Sequence, residues 1–502
     1  MENSNVISAN VETNTLVAFV LYYVFIVSIG FYFSKFSSSG MNEFFLGGRK
    51  MKRFVVALSA VVSGRSAWLL LGVSGLAYTR GVSAVWTVVG YIVVEFFLFV
   101  IVAVRLRRET EATDSLTIPD YFEARYNDHS GVLRIVSASI ILIFMVTYVA
   151  AQFSGGGKAF HASFGIDANW GIAITMGIVL VYTILGGFSA VSVIDMIQAI
   201  CMILALIILP AVAIIKFGGL SEMWSILKML NPRLVDPMAL TTGALIGFVG
   251  IGLGSPGNPH ILVRYMSIDD PRQLRVSAII GTIWNIVMAG GAIFIGLIGR
   301  AMFPGVDLLP AADTEQLYPF LAQKHLPPFW FGLILASIFA AIMSTADSQL
   351  LVAASAVVRD VYQKIFRKKI ELAQIQLVNL SRAVIFILVL FALFLAIVAQ
   401  KMIFWLVLFA WGGLGASFGP SVLLSLFWKK TTKWGVLAGL ISGTLVVIIW
   451  NQIAVLKNFV YELIPAFIIS TILVIVVSLF TEREHTNKCQ IEPVAKEQGE
   501  ES

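Results

Sequence analysis

Ser344, Thr345, Asp347 and Ser348 fall within little more than one helical turn and are the leading candidates for chemistry in this chain. Ser344 and Ser348 are four residues apart, so a helix puts them on one face with Asp347 beside them. They lie in an apolar run, Ala340-Ala-Ile-Met-Ser-Thr-Ala-Asp-Ser-Gln349, and Asp195 lies in another. A carboxylate in an apolar run long enough to cross a bilayer is costly and marks an ion or proton path. Hydroxyl, carboxylate and carbonyl oxygens are hard ligands, which suit Na⁺ better than a transition metal. The plainer alternative is that the hydroxyls bond back to their own helix. That accounts for Ser344 alone more readily than for the whole cluster.

Two further stretches cannot continue a regular helix. In Gly250-Ile-Gly-Leu-Gly-Ser-Pro-Gly-Asn-Pro-His260, four glycines and two prolines fall within eleven residues. Ser59-Ala-Val-Val-Ser-Gly-Arg-Ser-Ala-Trp68 places serines, a glycine and an arginine inside an apolar segment. Irregular backbone at membrane depth persists only where it is buried in protein or lines a watery cavity. Arg65 is the oddest residue here, because a guanidinium does not deprotonate and is costly in lipid unless paired. Its available partners are Glu95, Asp195 and Asp347. Three roles stay open: gripping an anionic substrate group, occupying a cation position so that transport becomes sodium-independent or proton-coupled, or forming a structural pair with Glu95. Glu95 could carry a proton, but pairing is the simpler reading. His260 is expected to cap or pack the broken helix, and Lys158 to snorkel to the interface.

The elements that must position these groups follow from composition. Of 502 residues, 58% are apolar and 13% charged, against about 25% charged in an ordinary soluble domain. The solvent must therefore be lipid, which makes this an all-α membrane protein. Thirteen apolar spans are expected: 14–34, 54–79, 82–104, 132–159, 168–187, 190–215, 239–263, 275–302, 329–358, 377–400, 402–427, 434–453 and 460–480. Each interruption opens a set of five spans. That is the pattern of two inverted five-helix repeats with discontinuous first helices and a site at the midplane. The expected organisation is an N-terminal tail, first helix and loop (1–53), a first repeat (54–217), a second repeat (239–427), a final helix pair (434–480) and a disordered tail (481–502).

Residues 1–13 contain no Lys or Arg, so the first span is expected to remain as a helix and not to be cleaved as a signal. With the N-terminus outside, about 25 of the 35 Lys and Arg fall in inner loops, Arg134 and Arg264 counted among them. This predicts a multi-pass protein of the cell membrane with a cytoplasmic C-terminus. The net charge of +6 is then a matter of orientation and implies no nucleic-acid partner. Cys201 and Cys489 supply neither a disulfide framework nor a metal site. No catalytic motif stands at usable spacing, so no enzyme and no cofactor are expected, and no oligomer is required.

At these residues the chain resembles the sodium:solute symporter family, and within it the proline-type bacterial members. The likeness rests on Phe45-Leu-Gly-Gly-Arg49, Ser66-Ala-Trp-Leu-Leu-Leu-Gly72, Ile118-Pro-Asp-Tyr-Phe122, Gly186-Gly-Phe-Ser-Ala-Val191, Pro259-His-Ile-Leu-Val-Arg264, Met343-Ser-Thr345 and Trp411 to Pro420, in that order. The resemblance implies sodium-coupled symport of a small organic solute by alternating access, with proline or a related amino acid foremost. A transporter-like solute sensor is the rival reading. By position, the resemblance implies a first Na⁺ site from the carbonyls of Val62, Arg65 and Ala341 with the hydroxyls of Ser344 and Thr345. It implies a possible second from Asp195, Ser344, Asp347 and Ser348. Substrate positions match Ser66, Trp68, Tyr148, Ile251, Ser255 and Pro259. The chain departs from the proline-type pattern in two places. Gly64 and Arg65 stand where those relatives carry aspartate and methionine, and Ile251 and Ser255 where they carry tryptophan and tyrosine.

Overall fold

The computed structural model describes residues 13–37, 40–366, 373–398 and 402–481. The tail expected to be disordered lies outside the described residues from 482 onward. In hydrocarbon every backbone N–H and C=O must find its partner within the protein. The described chain meets that demand with helices, and its one isolated bridge joins Met51 to Ile268.

Among the described residues, ten helices are long and apolar enough to cross a membrane, against the thirteen spans expected. Spans 2, 5 and 7 coincide instead with the shorter apolar helices Arg53–Ser63, Ala168–Val181 and Thr242–Gly257. The physical reason is interruption. Span 2 stops at Gly64, and span 7 tightens into a 3₁₀ run over Ile251–Gly257. Spans 5 and 6 meet at a kink within Ala168–Phe217, where Gly187 adopts φ 58° and ψ −173°. A side chain would strain that left-handed backbone, which glycine tolerates.

Burial sorts the helices into a core and a periphery. In Pro328–Phe366 and Ile403–Phe427, 83% of the most apolar stretch is buried, whereas the figure is 28% for Gln374–Val398 and Leu463–Thr481. The first pair is hydrophobic and enclosed, so it can carry polar groups away from lipid. The second pair faces outward. Pro328–Ser355, which holds the hydroxyl cluster, packs against Thr13–Ser37, Arg53–Ser63, Val132–Phe164 and Ala168–Phe217.

The two ends of the bundle differ. One carries the loops at 81–85, 231–241 and 453–462 and opens into a vestibule of about 730 Å³. The opposite end is cross-tied. Arg49 donates to the carbonyls of Met266 (3.0 Å), Thr110 (2.9 Å) and Ser115 (2.7 Å). Lys52 pairs with Asp269 at 2.7 Å. Arg134 pairs with Asp120 at 2.7 Å and also with Glu123 and Asp360, while Arg359 reaches Asp120 at 3.2 Å. Arg134, expected in a solvated loop, is 2% exposed and belongs to this network.

Candidate functional site

The helix Arg53–Ser63 ends at Gly64, and Ser66 is forced to φ 47°. The amides freed by this turn are answered locally. The amide of Ala67 donates to Gln152 Oε1 (3.0 Å) and that of Trp68 to Ser66 Oγ (3.0 Å). The carbonyls of Val62 and Arg65 each accept one backbone N–H at 2.9 Å, which leaves a second lone pair on each.

The second break is held open by close packing. Asn258 Nδ2 donates to the carbonyl of Gly254 (2.8 Å), and Trp411 Nε1 to that of Ile251 (2.8 Å). Gly254 lies so close to Trp411 that a Cβ there would sit 2.0 Å from the indole nitrogen. A Cβ on Gly257 would meet the carbonyl oxygens of Leu414 and Gly415 at 2.6 Å.

Between the breaks lies a small cavity of about 10 Å³, lined by Gly64, Arg65, Trp68, Tyr91, Tyr148, Ile251, Val407, Leu408 and Trp411. Ile251 and Leu408 also line the large vestibule, so the two spaces adjoin. Of the expected substrate positions, Trp68, Tyr148 and Ile251 face this cavity. Ser66, Ser255 and Pro259 do not. Ser66 caps its own turn, Ser255 donates to Glu95 Oε1 at 3.3 Å, and Pro259 lines a separate crevice toward the cross-tied end. Tyr91, Val407, Leu408 and Trp411 complete the wall; none was expected there from sequence, where Trp411 entered only as the start of a family motif, because an apolar or aromatic residue in an apolar run carries no signal of its facing. His260 packs edge-on to Tyr148, with ring centroids 6.1 Å apart.

Arg65 is paired with Glu95. Its Nε donates to Asn285 Oδ1 (2.8 Å), its Nη2 to Glu95 Oε2, and its guanidinium lies 3.8 Å over the Tyr91 ring. Asn285 Nδ2 donates to the same carboxylate at 2.9 Å. Glu95 thus connects Arg65 of the first break to Ser255 of the second.

The oxygen cluster forms a separate group. Asp195 Oδ2 accepts from Ser59 Oγ (2.6 Å), Ser63 Oγ (3.3 Å) and Arg264 Nη2 (3.1 Å). Arg264 also donates through Nε to Ser59 Oγ (3.0 Å) and through Nη2 to Ser348 Oγ. Ser348 Oγ lies 3.1 Å from both Ser63 Oγ and Asp347 Oδ1. Ser344 Oγ donates to the carbonyl of Ala341 at 3.2 Å, while Thr345 Oγ1 is buried with no hydrogen-bond partner among the described residues. Arg264, counted from sequence among the loop cations, is therefore a correction: it is 1% exposed and sits inside the cluster. The apolar run around it, Pro259-His-Ile-Leu-Val-Arg264, was the available signal. Lys158, expected to reach toward the interface, has carboxylate partners. It pairs with Asp313 (2.7 Å) and Glu315 (2.6 Å), and Glu315 accepts the amides of Ile403 and Phe404.

Residues 44–443 match the model of the sodium:solute symporter family. The chain belongs to that family. It is 37% identical over 471 residues to the osmoregulated proline transporter OpuE of Bacillus subtilis, covering 93% of this chain and 95% of the relative. It is 38% identical over 474 residues to the sodium/proline symporter of Escherichia coli, covering 93% of each chain. Among solved structures it is similar to a Na⁺-coupled sialic acid symporter in a substrate-bound outward-open state, with a TM-score of 0.79, 20% identity, and 94% and 98% of the two chains covered. At that identity the likeness concerns the fold. For this family member, sodium-coupled symport is the activity against which the two breaks and the oxygen cluster must be read.

Proposed function

We propose that the protein carries proline or a closely related small amino acid across the cell membrane together with Na⁺, by alternating access, and acts as a carrier and not as an enzyme or sensor. The observation that carries the reading is the adjacency of two interrupted helices, an aromatic-walled cavity between them, and a buried hydroxyl on the central helix, Thr345 Oγ1, that has no hydrogen-bond partner among the described residues. Its relatives in Bacillus subtilis and Escherichia coli bear the names of proline transporters.

Trp68, Tyr148, Ile251 and Trp411 would pack the apolar body of the solute. Na⁺ would bind the carbonyls of Val62, Arg65 and Ala341 with the hydroxyls of Ser344 and Thr345. The first two carbonyls retain a free lone pair, and Ser344 Oγ needs only to release Ala341. The donor set contains no nitrogen or sulfur, which suits a hard monovalent cation. Each Na⁺ moving inward down about 100 mV releases about 2.3 kcal/mol, which is the driving force for accumulation. The repeats would run over 54–217 and 239–427. Excess positive charge at the cross-tied end supports a cytoplasmic assignment for it, with the vestibule and the N-terminus outside. The conformation is then outward-facing. The alternative in which Arg65 replaces the cation finds no support, because its guanidinium is engaged by Glu95, Asn285 and Tyr91.

Labelled L-proline uptake into proteoliposomes tests this. An inward Na⁺ gradient should drive accumulation that an equal choline gradient does not, and a protonophore should leave it intact. Ser344→Ala combined with Thr345→Ala should raise the half-saturating Na⁺ concentration at least about tenfold, equivalent to about 1.4 kcal/mol. Accumulation without sodium, or an unchanged sodium requirement in the double variant, would sink the assignment.

A further inference from the structure

The second cation position expected around Asp195, Ser344, Asp347 and Ser348 already contains a positive charge from the chain itself. Building on the sodium-coupled reading above, we propose that Arg264 is a tethered substitute for a second coupling ion, so that each solute travels with a single Na⁺. Arg264 reaches this place from the helix Pro259–Ser267, directly after the second break. Its guanidinium bonds Asp195 Oδ2 (3.1 Å), Ser348 Oγ and Ser59 Oγ (3.0 Å), and the ring of Phe188 covers it at 4.6 Å. Asp195 and Ser348, two of the four expected ligands, are thereby occupied.

Three physical facts make the substitution durable. A guanidinium stays protonated, so it does not vacate the position by losing a proton. All of its partners are fully buried, and a second cation within a few ångströms would repel it in a medium that screens poorly. Asp195 Oδ2 already receives two hydroxyls and the guanidinium, so one positive charge of the chain itself faces this carboxylate, while Asp195 Oδ1 and Arg264 Nη1 are buried with no hydrogen-bond partner among the described residues. Arg264 also links four elements: its own helix, Arg53–Ser63 through Ser59, Ala168–Phe217 through Asp195, and Pro328–Ser355 through Ser348. A charge that in a two-ion transporter would enter and leave is here covalently part of a helix that follows a break.

A merely structural arginine would not set the number of bound ions, so ion stoichiometry is the readout. Binding of radiolabelled sodium to the purified full-length protein should saturate at one ion per chain, with a Hill coefficient near one. Arg264→Ala, which exposes Asp195 and Ser348, should admit a second ion and move the Hill coefficient toward two. Arg264→Lys, which keeps the charge, should stay at one. Asp195→Asn in the otherwise unaltered chain should still bind one ion, because Asp195 faces Arg264. Two ions in the unaltered protein would overturn this inference alone, and that measurement needs no variant to fold. No sodium binding at all would overturn the coupling reading and this one with it. A monodisperse Arg264→Ala protein that still binds one ion, or loss of all sodium binding in a monodisperse Asp195→Asn protein, would also overturn the substitution.

Discussion

Arg65 and Glu95 are 1% and 4% exposed at their side chains, so each has surrendered its water for the other. Asn285 bonds both members, and Ser255 adds a donor to the carboxylate. Removing one partner from such a pair strands a buried charge and costs about 3–5 kcal/mol, whereas replacing both is close to neutral. Glu95→Gln alone should therefore lower the unfolding temperature in detergent sharply, and adding Arg65→Met should recover most of the loss. Equal destabilisation by the single and the double variant would mean that the pair does not act as a unit. From the sequence Arg65 was conspicuous as a charge without a visible partner, and Glu95 was one of three choices. Arg264 was not conspicuous, because an arginine near the end of an apolar run looks the same whether it turns to the loop or into the bundle.

At the scale of elements, the breaks follow directly from residue type. Glycine and proline weaken a helix wherever they fall, and four glycines with two prolines leave no alternative between 250 and 260. What the break packs against is another matter. Gly254 is required by Trp411, whose indole sits where a Cβ would go. Gly254→Ala should displace the indole from its 2.8 Å bond to the Ile251 carbonyl and disturb the cavity wall. We expect a cost of about 1–3 kcal/mol in stability and a larger loss of solute affinity than of sodium affinity. The comparison is made by titrating each ligand against thermal stability. Equal losses in both would place Trp411 outside the solute wall. The kink between spans 5 and 6 was legible as a boundary because Gly186-Gly-Phe-Ser interrupts the apolar pattern. The merging of those spans across Gly187 was not, since it depends on a single left-handed residue.

For the whole molecule, one end opens into the vestibule and the other is cross-tied by ion pairs. Asp120 is central to the tie. Burial alone would raise its pKa, but the guanidinium groups of Arg359 and Arg134 outweigh this and hold the carboxyl below the usual range. A carboxylate with a lowered folded pKa contributes stability in full above its unfolded value of about 3.9 and loses it as pH falls through the folded value. The stability contributed by the Asp120 charge, read as the difference between the unaltered protein and Asp120→Asn, should thus shrink as pH falls below about 4. A difference that did not shrink there would show that the tie is not held by the Asp120 charge.

The chain by itself determined the solvent, the helical class, the places where helices must fail and the residue types able to hold a hard cation. Each of these depends on local composition or on spacing along one helix, and lipid enforces them strictly because unpaired backbone groups and unpaired charges are costly there. Only the tertiary structure decided which charges meet. Glu95 found Arg65, Asp195 found Arg264, and Lys158 found Asp313 and Glu315, through contacts between residues remote in sequence. Spacing along a helix fixes the face a residue shares with its neighbours, but the partner across the gap is set by how the helices pack.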